Sequence, residues 1–206
     1  MKKRALSMVL ALVMLLSLVP ASVWAEPAAK TVSSDTEFAG MDENGSYRLT
    51  NDITVTVPYE KDFSGTFDGD GHTVTLHITG SSNNAALFKT ISGGTVKNLL
   101  TKGSVSGNRN VGGIAAQAGD GATIENCKNT AAVNGSRAVG GILGAYSGAP
   151  VSITGCINTG DVTGSGTYVG GIAGNLEGAN TIENCYNLGN VTGFNNYAGI
   201  LGRSAK

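Results

Sequence analysis

Cysteine and histidine are scarce in this 206-residue chain, which holds three of the first and two of the second. Structural zinc needs four converging ligands, often as close Cys pairs. Cys127, Cys156 and Cys185 instead stand 29 residues apart, so the sequence predicts no zinc site. A basic excess is also missing. Without residues 1–25, which hold Lys2, Lys3 and Arg4, 11 basic residues face 15 acidic ones, a balance that excludes electrostatic attraction to nucleic acid. No apolar 3-4 spacing is long enough for a helical repeat, and leucine is too rare for a leucine-rich repeat core.

Long apolar runs are confined to Ala5 to Val19, preceded by the three basic residues, broken at Pro20 and followed by "ASVWA". This pattern predicts an export signal spanning 1–25, cleaved after Ala25. The competing reading, a membrane helix, is opposed by Pro20 and by the polar, Gly-rich sequence behind it. No cysteine near Ala25 offers a lipid attachment point, and no second apolar span follows, so the expected product is secreted, with no membrane span after cleavage.

Glycine is the residue the chain has in excess, with all 31 copies beyond residue 25 and only Pro27, Pro58 and Pro150 beside them. Glycine at that density fits either disorder or a chain of short strands and tight turns. The fixed offsets of Val and Ile between the glycines decide for strands. Aligned on "VGGI", residues 111–138, 139–168 and 169–197 form three repeats, a partial repeat follows at 198–206, and a diverged one at 85–110 carries Leu99 where the others carry cysteine. Such a period is the mark of a solenoid whose units bury their apolar side chains only by stacking. Three short strands per unit are expected, around "VGGIAG", "TIEN" and "CYN" to "NVTG", stacked into an all-β, parallel β-helix.

Four apolar columns should then form the core: Val111, Val139 and Val169; Ile114, Ile142, Ile172 and Ile200; Ile124, Ile153 and Ile182; Val105, Val133, Val162 and Val191. Gly107, Gly135, Gly164 and Gly193 are expected to close the coils at positive φ. Asn129, Asn158 and Asn187 should form a stacked ladder at a bend, with a surface-binding array as the alternative. Upstream, residues 26–46 read as linker and cap, in which Ser34, Glu37, Phe38 and Met41 suit a short capped helix over the end of the solenoid. Residues 47–84 read as the first coils, and 85–206 as the repeats. No matching cap is visible after "GILGRSAK", so the last coil is expected to expose its strand edges, and end-to-end self-association is a third reading.

The segments "GILG" (141–144), "GIAG" (171–174) and "GILG" (199–202), with "I-x-N/G-C-x-N-x-G-x-V-x-G" behind them, resemble the GLUG-motif repeats of secreted and surface-exposed bacterial proteins. "YRLTNDI" and "FSGTFDGDGHTV" resemble the first coils of such proteins. The resemblance spans residues 45–202 and implies a right-handed β-helix of adhesin-like character, with a host or cell-surface protein or glycan as partner. The repeat is a building element, so it specifies fold more closely than activity.

The chemical readings of individual residues point the same way. The cysteines are expected to be a buried thiol column, because Leu99 shows that the site accepts an apolar side chain; a single bridge between neighbouring rungs is the alternative. Asp68, Asp70 and His72 in "FDGDGH" read as a turn rather than an acid-base or calcium site, since glycines separate them and calcium-loop spacings are not met. Glu125 and Glu183 lie two rungs apart with Thr154 between them, and the N-x-D, G-H-G and R-x-K signatures of β-helical polysaccharide hydrolases are missing. Tyr168, Tyr186 and Tyr197 are outward rings that could stack on sugars. The sequence therefore assigns no catalytic, cofactor-binding or metal-binding residue and names no ligand. It predicts a non-catalytic surface-interaction or scaffold module, with a carbohydrate-active β-helix as the alternative.

Overall fold

A computed structural model describes residues 28–80, 82–148 and 150–205. The expected export signal, 1–25, lies outside the described residues. Short strands stack in parallel into four sheets of seven, four, six and nine strands, which wrap around one apolar interior. One coil shows the plan. It runs through Arg109–Gly112, Ala115–Gly119, Thr123–Glu125, Lys128–Asn129 and Ala132–Gly135, and the next coil begins at Arg137–Gly140.

The four predicted columns run through the core of the repeats, except that Ile182 and Val191 near the last coil are only partly buried and Ile200 is exposed. Val111 pairs with Val139 and Val139 with Val169; Ile124 pairs with Ile153 and Ile153 with Ile182; Val105, Val133, Val162 and Val191 follow one another in register. Ile114, Ile142, Ile172 and Ile200 are linked rung to rung through their backbone hydrogen bonds. Each fully buried Val or Ile stabilises the fold by about 1.5–3 kcal/mol. That gain exists only when a neighbouring coil covers the residue: Ile114, Ile142 and Ile172 are fully enclosed, while Ile200 on the last coil is exposed.

Three expectations about the coil need correction. "VGGIAG" is two strands rather than one, so each unit has four faces and not three. The chain turns at Gly113, where a Cβ would stand 2.5 Å from the Oδ1 of Asn129; Gly141 and Gly171 would meet Asn158 and Asn187 in the same way. Glycine there makes room for inward-pointing amides. Second, Gly107, Gly135, Gly164 and Gly193 are not at positive φ. Their role is close approach: a Cβ on Gly135 would lie 2.8 Å from methyl groups of both Val111 and Val139. Third, the left-handed corners belong to other residues. One column is Asn98, Asn126, Gly155 and Asn184; the other is Asn84, Asn110, Ala138, Tyr168 and Asn196. Asparagine suits these positions because its short amide tolerates left-handed geometry.

The cap forms as the sequence predicts. A helix, Asp35–Ala39, begins at Ser34, whose Oγ accepts the Glu37 N–H at 3.2 Å. The Glu37 carboxylate accepts from the N–H and hydroxyl of Ser33, one residue earlier than a standard capping box would place it. The helix drives Phe38 into the interior, where it meets Phe67 and Phe88 edge-on at centroid distances of 5.6 and 5.4 Å. Met41 is buried beside it. Aromatic residues thus fill the wide capped end, and the aliphatic columns fill the repeats.

Candidate functional site

The two repeated polar residues that the sequence makes most conspicuous turn inward. Asn129 and Asn158 are fully buried, and their amides form a continuous ladder. Thr101 Oγ1 donates to Asn129 Oδ1, Asn129 Nδ2 donates to Asn158 Oδ1, and Asn158 Nδ2 donates to Asn187 Oδ1, each at 2.8 Å. The second hydrogen of each amide goes to a backbone carbonyl two residues on, at Ala131, Gly160 and Gly189. The ladder is structural, and the surface array is ruled out by burial.

Cys127 and Cys156 are buried and Cys185 half-buried, all three unbridged. Their thiols face backbone carbonyls, with Cys127 Sγ 3.3 Å from Glu125 O and Cys156 Sγ 3.4 Å from Thr154 O. The Cys127 sulfur beside it, together with burial, pushes the Cys156 thiol up to about 12, and Cys185 is raised in the same way by Cys156. A thiol held protonated in this way is a poor nucleophile and a poor metal ligand. Leu99, one coil earlier, is likewise buried.

The acidic turn is also internally occupied. Asp68 accepts the Asp70 N–H at 2.9 Å, Arg48 binds Asp70 through Nε and an Nη at 2.8 and 2.6 Å, and His72 Nδ1 lies 3.4 Å from Asp52. Glu125, Thr154 and Glu183 occupy one column, as expected. Among the described residues no group of three or more His, Cys, Asp or Glu side chains converges as metal ligands. The tyrosines do not form one platform. Tyr186 shares a column with Lys128 and Ile157, Tyr197 falls in register with the inward Val169, and Tyr168 stands at a left-handed corner.

The arrangement with open chemistry lies at the corner between the four-stranded and six-stranded sheets, as a recess of about 380 Å³. Two outward columns flank it. In the corner column, Asn110 Nδ2 donates to Asn84 Oδ1 and Asn84 Nδ2 to Gln117 Oε1, both at 2.8 Å, which begins an outer amide ladder. The next rung supplies Ala138, and the ladder stops. In the neighbouring column, Gln117, Ala145, Asn175 and Arg203 follow in register, so a second alanine interrupts a polar row at the same level. Two missing side chains on one rung make the recess.

Its walls carry unspent polar capacity. Arg109 and Arg137 occupy successive rungs, a spacing of ~4.8 Å, and neither forms an ion pair among the described residues. Arg137 lies over the Tyr168 ring at 5.1 Å, with Arg203 at 4.9 Å from the same ring. Asn175 Oδ1 is buried without a hydrogen-bond partner. On the far side, Tyr146 donates to Glu177 at 2.7 Å and Arg203 to the other Glu177 oxygen at 2.6 Å. The Tyr146 hydroxyl above all holds the Glu177 carboxyl below the usual glutamate value; burial opposes it, and the Arg203 charge adds a smaller lowering effect.

A family model described as the GLUG motif matches residues 107–134. The chain carries a GLUG motif. That GLUG segment contains Arg109, Asn110, Gln117 and Asn129, so one repeat supplies both a rung of the inner ladder and an edge of the recess. The fold of this chain is similar to that of a crystal structure from Bacteroides ovatus, provisionally named as an immunoglobulin A1 protease. The TM-score is 0.64 at 19% identity, over 84% of this chain and 69% of that one. Comparison with curated protein sequences gives no match.

The recess follows from outward positions that do not repeat: before the "VGGI" valines Val111, Val139 and Val169 stand Asn110, Ala138 and Tyr168, three different side chains ahead of three identical ones.

Proposed function

We propose that this chain is an exported, non-catalytic interaction module that binds a host or cell-surface partner through the recess between Arg109 and Tyr146. The observation that carries this reading is the coincidence, in one recess, of two alanine interruptions on one rung with two arginines on successive rungs that form no ion pair among the described residues. Unpaired polar groups held in a concave site favour an external partner. The GLUG motif and the basic-apolar start of the chain support export and a surface role.

A polysaccharide-cleaving role would require a carboxylate tuned near working pH beside the recess. No carboxylate lines the recess among the described residues; Glu177 stands behind Tyr146, held below the usual glutamate value. The likeness to the Bacteroides ovatus structure is one of fold, and its proteolytic name adds nothing at these residues.

The test is labelled wild-type chain on arrays of immobilised surface glycans and surface proteins, beside Ala145→Trp, which fills the recess. A bound feature that disappears with Ala145→Trp is expected. Binding equal in the two proteins would sink the reading.

A further inference from the structure

Resting on that reading, we infer that the recess binds an acidic oligosaccharide, a chain of sugar rings bearing a carboxylate or sulfate beside free hydroxyls. Two requirements of the site lead to this class. Arg109 and Arg137 are like charges on adjacent rungs, and a bound anion relieves their repulsion while taking paired N–H donors from a guanidinium. The edge of the recess asks for the opposite chemistry as well: Asn110 Oδ1 accepts no hydrogen bond among the described residues, and an oxygen acceptor is satisfied only by a donor.

A bare anion such as sulfate offers acceptors alone and leaves the Asn110 oxygen without a donor. A neutral sugar offers hydroxyl donors and leaves the arginines unpaired. An acidic sugar supplies both on one ring. The remaining surroundings are amides from Asn84, Asn110 and Gln117, which match vicinal hydroxyls as donor and acceptor together. Apolar surface is limited to the Ala138 and Ala145 methyl groups and the edge of Tyr146, with no deep pocket for the aromatic or aliphatic anchor that peptide recognition uses. The volume, about 380 Å³, stands toward the small end of ligand sites.

Backbone strain marks the corner column beside the recess. Ala138 and, one rung on, Tyr168 take φ 54 and φ 67, left-handed values that both side chains disfavour and that the asparagines of this column accept. Alanine there keeps the recess open, and Tyr168 backs Arg137 with its ring. Strained residues gathered at one concave place are a feature of ligand sites.

The experiment is calorimetric titration of the whole chain with sialyl-lactose, an oligogalacturonate, a sulfated disaccharide, the neutral parent sugars, sodium sulfate and an acidic peptide. The expected result is binding of at least one acidic sugar at least about tenfold tighter than its neutral parent. That binding should weaken as salt rises and drop about tenfold or more in Arg137→Gln and in Arg109→Gln/Arg137→Gln. Which acidic sugar binds distinguishes a carboxylate from a sulfate. Both arginines are exposed, so unchanged melting of the variants will show that folding is intact. Equal affinity for neutral sugars, tighter binding of the peptide or of sulfate alone, or affinity that survives loss of both arginines overturns the inference. So does the absence of any sugar binding. If a protein ligand then proves sensitive to Ala145→Trp, the interaction role stands and the sugar assignment alone falls.

Discussion

Two asparagine ladders climb this solenoid, one inside and one outside, and they end differently. The inner ladder of Asn129, Asn158 and Asn187 runs unbroken beneath the Thr101 hydroxyl, with every amide hydrogen on the two buried residues assigned. The outer ladder of Asn84 and Asn110 stops at Ala138 after a single step. Identical chemistry has opposite consequences. A complete ladder is sealed and contributes to the fold, whereas an interrupted one leaves polar groups turned toward a space that a ligand can enter. Repetition builds the molecule, and the break in repetition gives it an individual surface.

Breaking the inner ladder is expected to have the largest effect. Asn158→Leu keeps the approximate shape but strips partners from Asn129 Nδ2, Asn187 Oδ1 and the Gly160 carbonyl, all enclosed or partly enclosed. Each buried group left unpaired costs about 1–3 kcal/mol, so a loss of roughly 3–5 kcal/mol is expected in a denaturant titration. Asn110→Gly, which keeps the left-handed corner and removes the outer amide, should cost about 1 kcal/mol or less because water replaces the lost partner. Similar losses in the two variants would show that the distinction between the ladders is wrong.

Mending the outer ladder is the next test, and it should move stability and binding in opposite directions. Ala138→Asn replaces a strained left-handed alanine by a residue that accepts φ 54, and its Nδ2 can reach Asn110 Oδ1 in the way that Asn110 reaches Asn84. A gain of about 1 kcal/mol is expected. The same side chain fills the recess, so ligand binding should fall at least about tenfold. A variant that is both less stable and still fully competent to bind would remove the argument that alanine is retained there for access.

The inner ladder could be read from sequence because stacking forces identity: a residue that touches its own copy above and below repeats with the coil, as Ile124, Ile153 and Ile182 also do. The conformation of individual residues was less legible. Asn126 and Asn129 both belong to the "IENC-x-N" stretch, yet the first takes the left-handed corner and the second points inward, a distinction fixed by how Gly113 approaches from the neighbouring face. The recess was least legible of all. It arises from what Ala138 and Ala145 lack, on two faces that meet only after the chain has turned at Gly141, and outward positions carry no requirement to repeat.

The smallest expected effect separates the ladders by pH. The inner one is made of amides and a hydroxyl, with nothing to titrate, while behind the recess the lining Tyr146 donates to Glu177, which Arg203 also holds. Because the Glu177 pKa is lowered in the folded state, its contribution is fully present above the ordinary glutamate value of 4.5 and is lost as pH falls through the lowered value. Wild type should therefore melt slightly above Glu177→Gln at pH 7, and the gap should close below pH 4.5. The side chains of Glu177 and Arg203 are 31% and 35% exposed, which keeps the gap small through solvent screening. A gap that is constant from pH 7 to pH 3, or that widens in acid, would mean that Glu177 is not held as an anion by its two partners.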